Sequence, residues 1–494
     1  MSLESALLRA TSGIRHTSRQ IEVTSQNVAN AGVEGYTRKT VAGEQFAGAV
    51  RSLPATRDVD RALRVEARDV RGDAAAAALR ADVLGPLAQL QGSPADGASL
   101  GGLVGALRDG LTELRADPDD SSTQGTVLRG AEAIASRLQD VATAVARTRQ
   151  AVQDGLRTDV DLANGLLRDV AKLEYEARSA RAAGRDDTNA LDSRDTAIGK
   201  LSELIDITPV EGRDGGLTLI LRGGALLPLD PNASPFGIGD AVVTAGAHAA
   251  SQGGTLPGLT LRGAPLADVP RGGRIGEGLA LRDDTLARMG AELDTLATTL
   301  AGRLREQGLT LFTDAGGDAP PATGSAGAPG FAQRITVSAQ VAQNTALLRD
   351  GTPDVPEFPP NPQGQSGYTA LLDRVLNHAF GDKKNATTLH APIPATGIGA
   401  SGDLSSSFSP PRRLLDYAAA VTAAHASEAG AAADEATATS ALSSQLASLV
   451  QRREGVDIDA EMASMVTLQN AYAANARVIS VLQTMWDSLL STVR

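Results

Sequence analysis

Residues 457–494 read DIDAEMASMVTLQNAYAANARVISVLQTMWDSLLSTVR and contain neither Pro nor Gly. Apolar side chains recur here in alternating steps of three and four, which is the heptad spacing of a coiled coil. The positions are Leu468, Tyr472, Ile479, Leu482, Trp486, Leu489 and Val493. Asn475 stands where the spacing calls for a core residue, and one such amide commonly sets the register and partner number of a coiled coil. The stretch therefore predicts a C-terminal helix with one narrow apolar seam.

The N-terminal residues carry a matching seam. Uninterrupted steps of four and three separate Leu3, Leu7, Ala10, Ile14, Thr17, Ile21, Thr24 and Val28. Chain ends are usually the least ordered part of a protein, and a narrow seam buries little surface when it is alone. We therefore expect the two terminal helices to pair with each other, with copies of themselves, or both.

Composition limits the class of protein. Lys and Arg number 46 against 58 Asp and Glu, so the net charge is −12, and no basic block is present that would favour a nucleic-acid partner. The absence of Cys excludes disulfides, a thiol nucleophile and a cysteine metal site. No window approaches the roughly 18 apolar residues of a membrane helix, and the N-terminus lacks the pattern of a cleaved secretory signal. We expect neither a membrane partner nor a cleaved signal peptide.

The positions of the prolines indicate where long helices can form. All 23 Pro lie between Pro54 and Pro411, and an interior Pro costs a helix about 3 kcal/mol. The Pro-free blocks that become helix candidates are 1–53, 119–208, 271–319 and 412–494. Short β-like runs follow Pro209, and residues 37–53 are expected to form an extended or irregular arm. A helix is also predicted from Asp58 to Leu84.

The predicted fold is therefore mainly α with β insertions. It has N- and C-terminal coiled-coil helices, a helical rod domain, and one or two outward β-rich domains. The predicted segments are an N-terminal axial helix and arm (1–55), a rod domain in three parts (56–205, 271–312 and 412–454), a small β domain (206–270), an outer insertion that is β-rich or irregular (313–411) and a C-terminal axial helix (455–494).

Signatures of chemistry are absent from the sequence. It contains no phosphate-binding Walker loop, no His-Glu-x-x-His pair and no Gly-x-Ser-x-Gly elbow. Asp457, Asp459 and Glu461 alternate as calcium ligands can, but the Gly and the closing Glu of an EF-hand are missing. Capping of the last helix explains them better. We expect no enzyme activity, no cofactor, no metal and no small-molecule ligand.

Motifs at both ends resemble those of flagellar axial proteins. Asn27-Val28-Ala29-Asn30, followed by Gly35-Tyr36-Thr37-Arg38, resembles the N-terminal motif shared by rod, hook and hook-associated proteins. Asp459-x-Glu461-Met462-Ala463 and the run from Gln469 to Ser480 resemble the closing signature of hook and hook-associated proteins. Each end alone indicates only an axial protein.

Two internal stretches resemble one member, hook-associated protein 1 of the FlgK type. They are Asn189-x-Leu191-Asp192-x-Arg194-Asp195, and Gly272-Gly273-x-Ile275-Gly276 with Leu279-x-Leu281-Arg282-Asp283. The resemblance implies a non-enzymatic, extracellular structural protein at the junction between flagellar hook and filament, exported by the flagellar type III route. The implied partners are copies of itself, hook protein, hook-associated protein 3 and an export chaperone that binds the C-terminal helix.

Two alternatives remain open. One is another axial protein, either hook protein or hook-associated protein 3, and the long helical middle of the chain argues against hook protein. The other is an adhesin or enzyme displayed on a helical stalk, which a cleft with converging ionisable groups in residues 313–411 would support.

The seams and the motif turn define the predicted assembly interface. We expect these residues to order against neighbouring copies, while the rod domain keeps its own core. The interface residues are Leu3, Leu7, Ile14, Ile21, Val28, Asn30, Gly35, Tyr36, Leu468, Tyr472, Asn475, Ile479, Leu482, Trp486 and Leu489.

Overall fold

The chain begins with a long helix and a returning arm. The structure is a computed structural model that describes residues 3–46, 48–212, 215–266, 269, 272–322 and 328–492. The first elements are α1 (Leu3–Asn30), β1 (Lys39–Thr40), β2 (Gly43–Phe46), β3 (Ala49–Ser52) and β4 (Thr56–Arg57). Strands β2 and β3 form an antiparallel hairpin, and β1 pairs antiparallel with β4 at the base of the arm. The arm, expected to be extended or irregular, is therefore largely strand.

Four helices follow and form the first part of the rod. They are α2 (Arg61–Gln91), α3 (Leu100–Ala116), α4 (Ser121–Ala182) and α5 (Thr188–Leu204). The 62 residues of α4 span about 93 Å at 1.5 Å per residue. Its first turn is capped by Asp120, whose carboxylate accepts from the backbone N–H groups of Ser122 and Thr123. The heptad positions of α4, such as Ile134 and Leu138, are buried against the other rod helices.

Helix α2 extends further than its sequence predicts. Its expected end is Leu84, but the helix continues through Pro86 and ends at Gln91, before Gly92. Leu84 and Leu87 are both buried in the main core. Their burial outweighs the helix-breaking tendency of the proline, because a buried Leu contributes about 1.5–3 kcal/mol.

Short strands and a second helical passage follow α5. The strands are β5 (Ile207–Glu211), β6 (Leu217–Leu221), β7 (Leu226–Leu227), β8 (Phe236–Gly237), β9 (Thr260–Leu261) and β10 (Ala264–Pro265), with a 3₁₀ turn at Ala250–Gln252. They form two antiparallel three-stranded sheets, ordered β5-β6-β7 and β10-β9-β8. The chain then returns along the rod through α6 (Gly273–Ala280), a π turn (Leu281–Thr285) and α7 (Leu286–Arg305).

Hydrogen bonds at the π turn connect the rod to residues 206–270, which contain β5 to β10 and which we call the β segment. The carbonyl oxygen of Arg282, in the π turn, accepts a 2.6 Å hydrogen bond from Arg149 Nε of α4. Arg149 Nη2 also donates to the carbonyl of Ala247, at 2.8 Å. Burial lowers the pKa of Arg149 to about 10, so the guanidinium stays charged at neutral pH. One buried side chain therefore joins α4, the π turn and the loop of the β segment.

The remaining elements lead to the C-terminus. They are β11 (Phe312–Asp314), α8 (Phe331–Arg334), β12 (Ile335–Val337), α9 (Ala339–Gln343), α10 (Leu347–Asp350), α11 (Ala370–Arg374) with a π turn at Val375–Ala379, β13 (Thr396–Ile398), β14 (Leu404–Ser405), α12 (Leu414–Glu454) and α13 (Ile458–Thr492). Strand β11 pairs with β12, and β13 pairs with β14. The predicted fold class, mainly α with β insertions, is confirmed.

Residues 206–270 and 313–411, which we call the first and second insertions, contribute side chains to the same core as the rod. Leu219 from the first insertion, and Phe331 and Leu371 from the second, are fully buried in one cluster with the rod helices. The described part of residues 313–411 contains short helices, one π turn and only a few strand residues. Core side chains of both insertions thus pack against the rod helices, while Val243, Ala247 and Leu256 of the first insertion form a small cluster of their own. The exact boundaries between the seven predicted segments stay a prediction.

A buried polar triad joins three rod helices. His425 Nε2 of α12 lies 2.7 Å from Glu292 Oε2 of α7, and His425 Nδ1 lies 2.9 Å from Gln91 Oε1 of α2. Burial would raise the pKa of Glu292, but its hydrogen bonds with His425 and with the Ser407 N–H outweigh burial and hold that pKa below its usual range. The triad fixes how α12 returns against α2 and α7.

We expect the rod core to dominate the stability of the chain. Replacing fully buried Leu138 with Ala removes packing inside α4's seam and should cost about 2–5 kcal/mol in the free energy of unfolding. The matched control is Leu162→Ala on the same helix, where the side chain is 53% exposed and the change should stay within about 0.5 kcal/mol. Urea unfolding followed by circular dichroism measures both. Equal losses for the two variants would contradict a core centred on this seam.

Candidate functional site

The terminal helices α1 and α13 pack against each other, and we call them the axial pair. Asn27 of α1 is hydrogen-bonded to Glu461 of α13, and Gly13 lies beside Asn475. Moving from residue 27 to 13 in α1 thus corresponds to moving from 461 to 475 in α13, so the two helices run antiparallel. A Cβ atom at Gly13 would lie 3.3 Å from the Asn475 amide. The absence of a side chain there accommodates the predicted seam amide.

The seam between the helices is only partly covered. Ile14, Ile21, Leu468, Ile479 and Leu482 are half-buried. The described side chains of α1 and α13 contribute nothing to the main core, and the small cluster near this pair consists of Val23, Val41 and Ala55. The axial pair therefore buries much less apolar surface than the rod does.

Large apolar side chains remain exposed on the outer faces of the axial pair. On α13 these include Ile458, Met462, Val466, Val481, Met485 and Trp486. On α1, Leu8 is 63% exposed. Large apolar side chains left exposed on one element commonly mark a surface that contacts another protein.

The β2–β3 hairpin lies along α1. Ser12 Oγ of α1 accepts from the backbone N–H of Val50 at 3.1 Å, and His16 Nδ1 lies 3.0 Å from Ser52 Oγ. Phe46, next to the hairpin's tip, is 68% exposed. The hairpin supports α1 on one side and presents an aromatic ring outward.

A polar joint connects the axial pair to the rod, and Asn27 is its first element. Its buried amide nitrogen donates to the Lys39 carbonyl at 2.9 Å and to Glu461 Oε2 at 3.2 Å. Its amide oxygen accepts from the Tyr36 hydroxyl and from the Lys39 N–H, each at 3.1 Å. Glu461 Oε1 also accepts from Arg38 Nε at 2.6 Å. One side chain therefore links α1, the arm and α13.

Asp192 of α5 is the second element of the joint. It accepts from Thr37 Oγ1 at 2.7 Å and pairs with Lys39 Nζ at 3.2 Å and with Arg57 Nη1 at 3.0 Å. Burial lowers the pKa of Lys39, and the Asp192 carboxylate opposes that shift. Burial, followed by the charge of Asp192, raises the pKa of Tyr36 to about 12, so its hydroxyl stays protonated and can donate to Asn27.

Glu454 and Asp195 form the third element. Glu454, at the end of α12, accepts from Arg64 Nε at 2.6 Å and from the Asp60 N–H at 2.8 Å. Asp195 accepts from Arg57, Arg64 and Arg194 at 2.6–3.1 Å. Alternating carboxylates and guanidinium groups thus run from the arm through α5 and α2 to α12. A buried charge network of this kind holds its elements in one geometry because each unpaired charge would be costly.

The predicted interface residues fall into a half-buried set and an exposed set. Half-buried in the axial pair or at the joint are Ile14, Ile21, Val28, Asn30, Tyr36, Leu468, Asn475, Ile479 and Leu482. Exposed are Leu7, Gly35, Tyr472 and Trp486. The side chains of Leu3 and Leu489 lie outside the described part of the chain. That these residues contact neighbouring copies stays a prediction.

Gly35 occupies a position that requires glycine. Its φ of 76° lies in the left-handed region, and a Cβ atom there would collide with Thr196 Oγ1 of α5. The turn between α1 and the arm can therefore approach α5 closely.

Sequence reasoning missed several residues of the joint. Lys39, Arg57, Arg64 and Glu454 belong to no recognisable local pattern, and Asp60 and Glu454 meet across 394 positions of the chain. Asp192 and Asp195 could be singled out from the sequence, because both lie in a stretch that resembles hook-associated protein 1. Glu461 was expected to complement the helix dipole, whereas the structure buries it against Arg38 and Asn27.

Within the described ranges, no group of three or more His, Cys, Asp or Glu side chains is arranged to hold a metal ion. None of the helices in those ranges combines the length and apolar composition needed to cross a membrane.

Comparisons with known proteins agree with the motif analysis. Residues 87–319 match the family model of the flagellar hook-associated protein FlgK helical domain, and residues 452–492 match that of the flagellar basal body rod FlgEFG protein C-terminal region. The chain is 24% identical over 520 residues to flagellar hook-associated protein 1 of Bacillus subtilis (strain 168), covering 95% of this chain and 94% of the relative. The resemblance to hook-associated protein 1 is thereby confirmed.

A solved structure is also similar. It is the flagellar hook junction protein FlgK from Burkholderia pseudomallei, with 24% identity and a TM-score of 0.41. The match covers 52% of this chain and 46% of that chain, so it spans about half of each.

Changing Glu461 to Gln should loosen the joint. The neutral amide removes the charged partner of Arg38, whose side chain is 41% exposed, so the expected loss is that of a hydrogen bond to a charged group, about 1.5–3 kcal/mol. We expect faster hydrogen exchange in the first turns of α13 and unchanged exchange in α4. Glu22→Gln is the control, because Glu22 pairs with Arg19 at the exposed surface of α1. If both variants exchange as the wild type does, the joint does not hold the axial pair.

Acid should weaken the joint through Asp195. Burial would raise the pKa of Asp195, but Arg57, Arg194 and Arg64 outweigh burial and hold it below its usual range. The unfolded chain therefore binds this proton more tightly than the folded chain does. The resulting stability is complete above the unfolded pKa of about 3.9 and is lost as pH falls below that value towards the folded pKa.

The measurement is the free energy of unfolding between pH 7 and pH 3. The wild type should lose stability below pH ~4 more steeply than Asp195→Asn. The exposed variant Asp140→Asn should follow the wild type. A wild-type curve parallel to that of Asp195→Asn would show that the carboxylate contributes no such term.

Proposed function

We propose that this chain, a flagellar hook-associated protein related to hook-associated protein 1, is a structural component of the junction between the hook and the filament. The observation that carries the proposal is the axial pair. Its two helices leave large apolar side chains exposed, and none of their described side chains belongs to the core of the rod. Packing of several copies side by side would cover these side chains.

The rod and the joint have distinct roles in this proposal. The rod keeps its shape through its own core, whereas the joint sets the direction in which the axial pair leaves it. Copies whose axial pairs leave at one fixed angle can repeat the same contact around a ring or helix. The half-buried Asn475, beside Gly13, would fix the register of α1 against α13 within each copy.

The proposed partners follow from this role. Copies of the same chain supply the lateral contacts, hook protein lies on one side of the junction and hook-associated protein 3 on the other. An export chaperone would cover the apolar faces of α13 before assembly. The proposed location is outside the cell after export by the flagellar type III route, and the lack of Cys means that refolding there needs no disulfide formation.

An enzymatic role has little support. The charged groups of the joint are engaged with one another, and their geometry resembles a structural ion-pair network. The second insertion, which could have carried an added activity, packs into the rod core. We propose that the chain has no catalytic activity.

Charging the outer face of α13 should block assembly. Val481 and Met485 are 58% and 49% exposed, so Val481→Asp and Met485→Asp should leave the isolated chain's thermal unfolding unchanged. In an assembled ring each carboxylate would be buried without a partner. That costs about 3 kcal/mol or more and weakens association at least about 100-fold.

The measurement is incorporation into flagella in cells of the source bacterium that lack the native copy. We expect hooks without attached filaments for both variants. Gln483→Asp, at an exposed polar position of the same helix, is the control and should support filament attachment. Normal filaments on cells that produce Val481→Asp and Met485→Asp would refute assembly through this face.

A further inference from the structure

A large cleft opens beside the joint. It has a volume of about 1170 Å³ and lies between the arm, α2, α5 and the end of α12. Among the described residues that line it are eight arginines and only five aspartates or glutamates. The cleft therefore carries a positive excess of three in a chain whose net charge is −12. We call it the arginine cleft.

The carboxylates of the arginine cleft are already paired within the chain. Asp195 and Glu454 belong to the joint, and Glu211 pairs with Arg61 at 2.8 Å and with Arg194 at 2.9 Å. They are therefore not available to neutralise the remaining cations.

Arg68 is the main cation left over. Its side chain makes no hydrogen bond or ion pair with any residue that the structure describes. Burial lowers the pKa of Arg68, and the charges of Asp195 and Asp69 offset that effect only in part. The exposed guanidinium of Arg185 lies on the rim of the same cleft and likewise has no ion-pair partner in the described chain. An anionic group placed between them would gain from both charges.

Part of the wall of the arginine cleft is apolar. Val65 of α2, which is 43% exposed, lines the cleft together with Ala447 and Val450 of α12 and Leu217 of β6. A small inorganic anion would leave these walls exposed to water. The combination of an apolar wall and unpaired guanidinium groups fits an acidic, amphipathic helix face, which buries aliphatic side chains and offers a carboxylate.

One face of the same chain has that chemistry. Ile458, Met462 and Val466 recur every four residues on α13 and are 50%, 49% and 56% exposed. Asp459 is exposed beside them. Because these side chains stay exposed while the cleft stays open, the chain does not fill its own cleft. This face begins three residues after Gly455, which lines the cleft, so a modest shift between neighbouring copies would bring the two surfaces together.

We propose that the arginine cleft of one copy receives the Ile458, Met462 and Val466 face of α13 from the next copy. The proposal rests on the proposed function, because it needs copies that lie side by side. The contact is head-to-tail, with different surfaces on the two copies, so it can repeat into a ring or helix. Asp459 of the incoming helix lies near Arg68, and the three apolar side chains cover the wall that includes Val65.

The test uses introduced cysteines, since the chain has none of its own. The double variant Val65→Cys/Met462→Cys replaces two exposed side chains. Flagella are isolated from cells that produce it in place of the native copy, oxidised, and separated by gel electrophoresis without reductant. We expect a ladder of disulfide-linked copies. The pair Val65→Cys/Val242→Cys is the matched control, because Val242 is 80% exposed in the β segment and should give no ladder.

Two further results separate the inference from the proposed function. Adding Arg68→Glu to the first pair should reduce the cross-linked fraction at least 10-fold, by removing the attraction for Asp459. Attached filaments without a Val65–Met462 ladder would overturn the cleft contact and leave the junction function intact. If even the wild-type chain is absent from isolated flagella, the proposed function itself is wrong and the cleft contact falls with it. A ladder of equal strength with the control pair would also overturn the proposal.

Discussion

The structure depends on a few buried carboxylates at the joint. Asp192, Glu454 and Glu461 come from three different helices, and each accepts hydrogen bonds from the arm or from the residues just after it. A carboxylate in a low-dielectric interior is costly unless cations and N–H donors surround it. The arm can therefore take only a path that delivers Thr37, Arg38 and Arg57 to these acids, and that path fixes where the axial pair meets the rod.

This arrangement separates stability from assembly. The rod and both insertions share one extensive core, so the middle of the chain holds together through apolar burial. The axial pair has a narrow seam and outer faces that remain in water. Regions with few buried apolar contacts open at lower free energy than the core does. The axial pair, whose apolar side chains are the least buried, is thus attached to a rod that is held together by its own core. This arrangement is consistent with an axial pair that gains further contacts from neighbouring copies.

The tertiary structure shows how the two insertions are attached to the rod. Their short strands and Gly-rich loops resemble independent outward domains in the sequence, yet Leu219, Phe331 and Leu371 lie in the rod's core. Arg149 adds hydrogen bonds to this packing, because its guanidinium donates to one carbonyl of the π turn and one of the β segment. Such short strands could not bury an apolar face by themselves, so packing on the helices is the arrangement that covers them.

The sequence by itself determined the local elements. Heptad spacing predicted α1 and α13, a Pro-free block contained α4, and the carboxylate of Asp457 caps α13 as expected, because caps and amphipathic faces depend on residues within a few positions of each other. Motif resemblance also brought Asp192 and Asp195 to notice. Only the tertiary structure decided that Glu461 faces Arg38 and Asn27, and that Glu454 meets Asp60 and Arg64. These partners are hundreds of residues apart, and no period or cap signal in a sequence specifies which distant cation a carboxylate will meet.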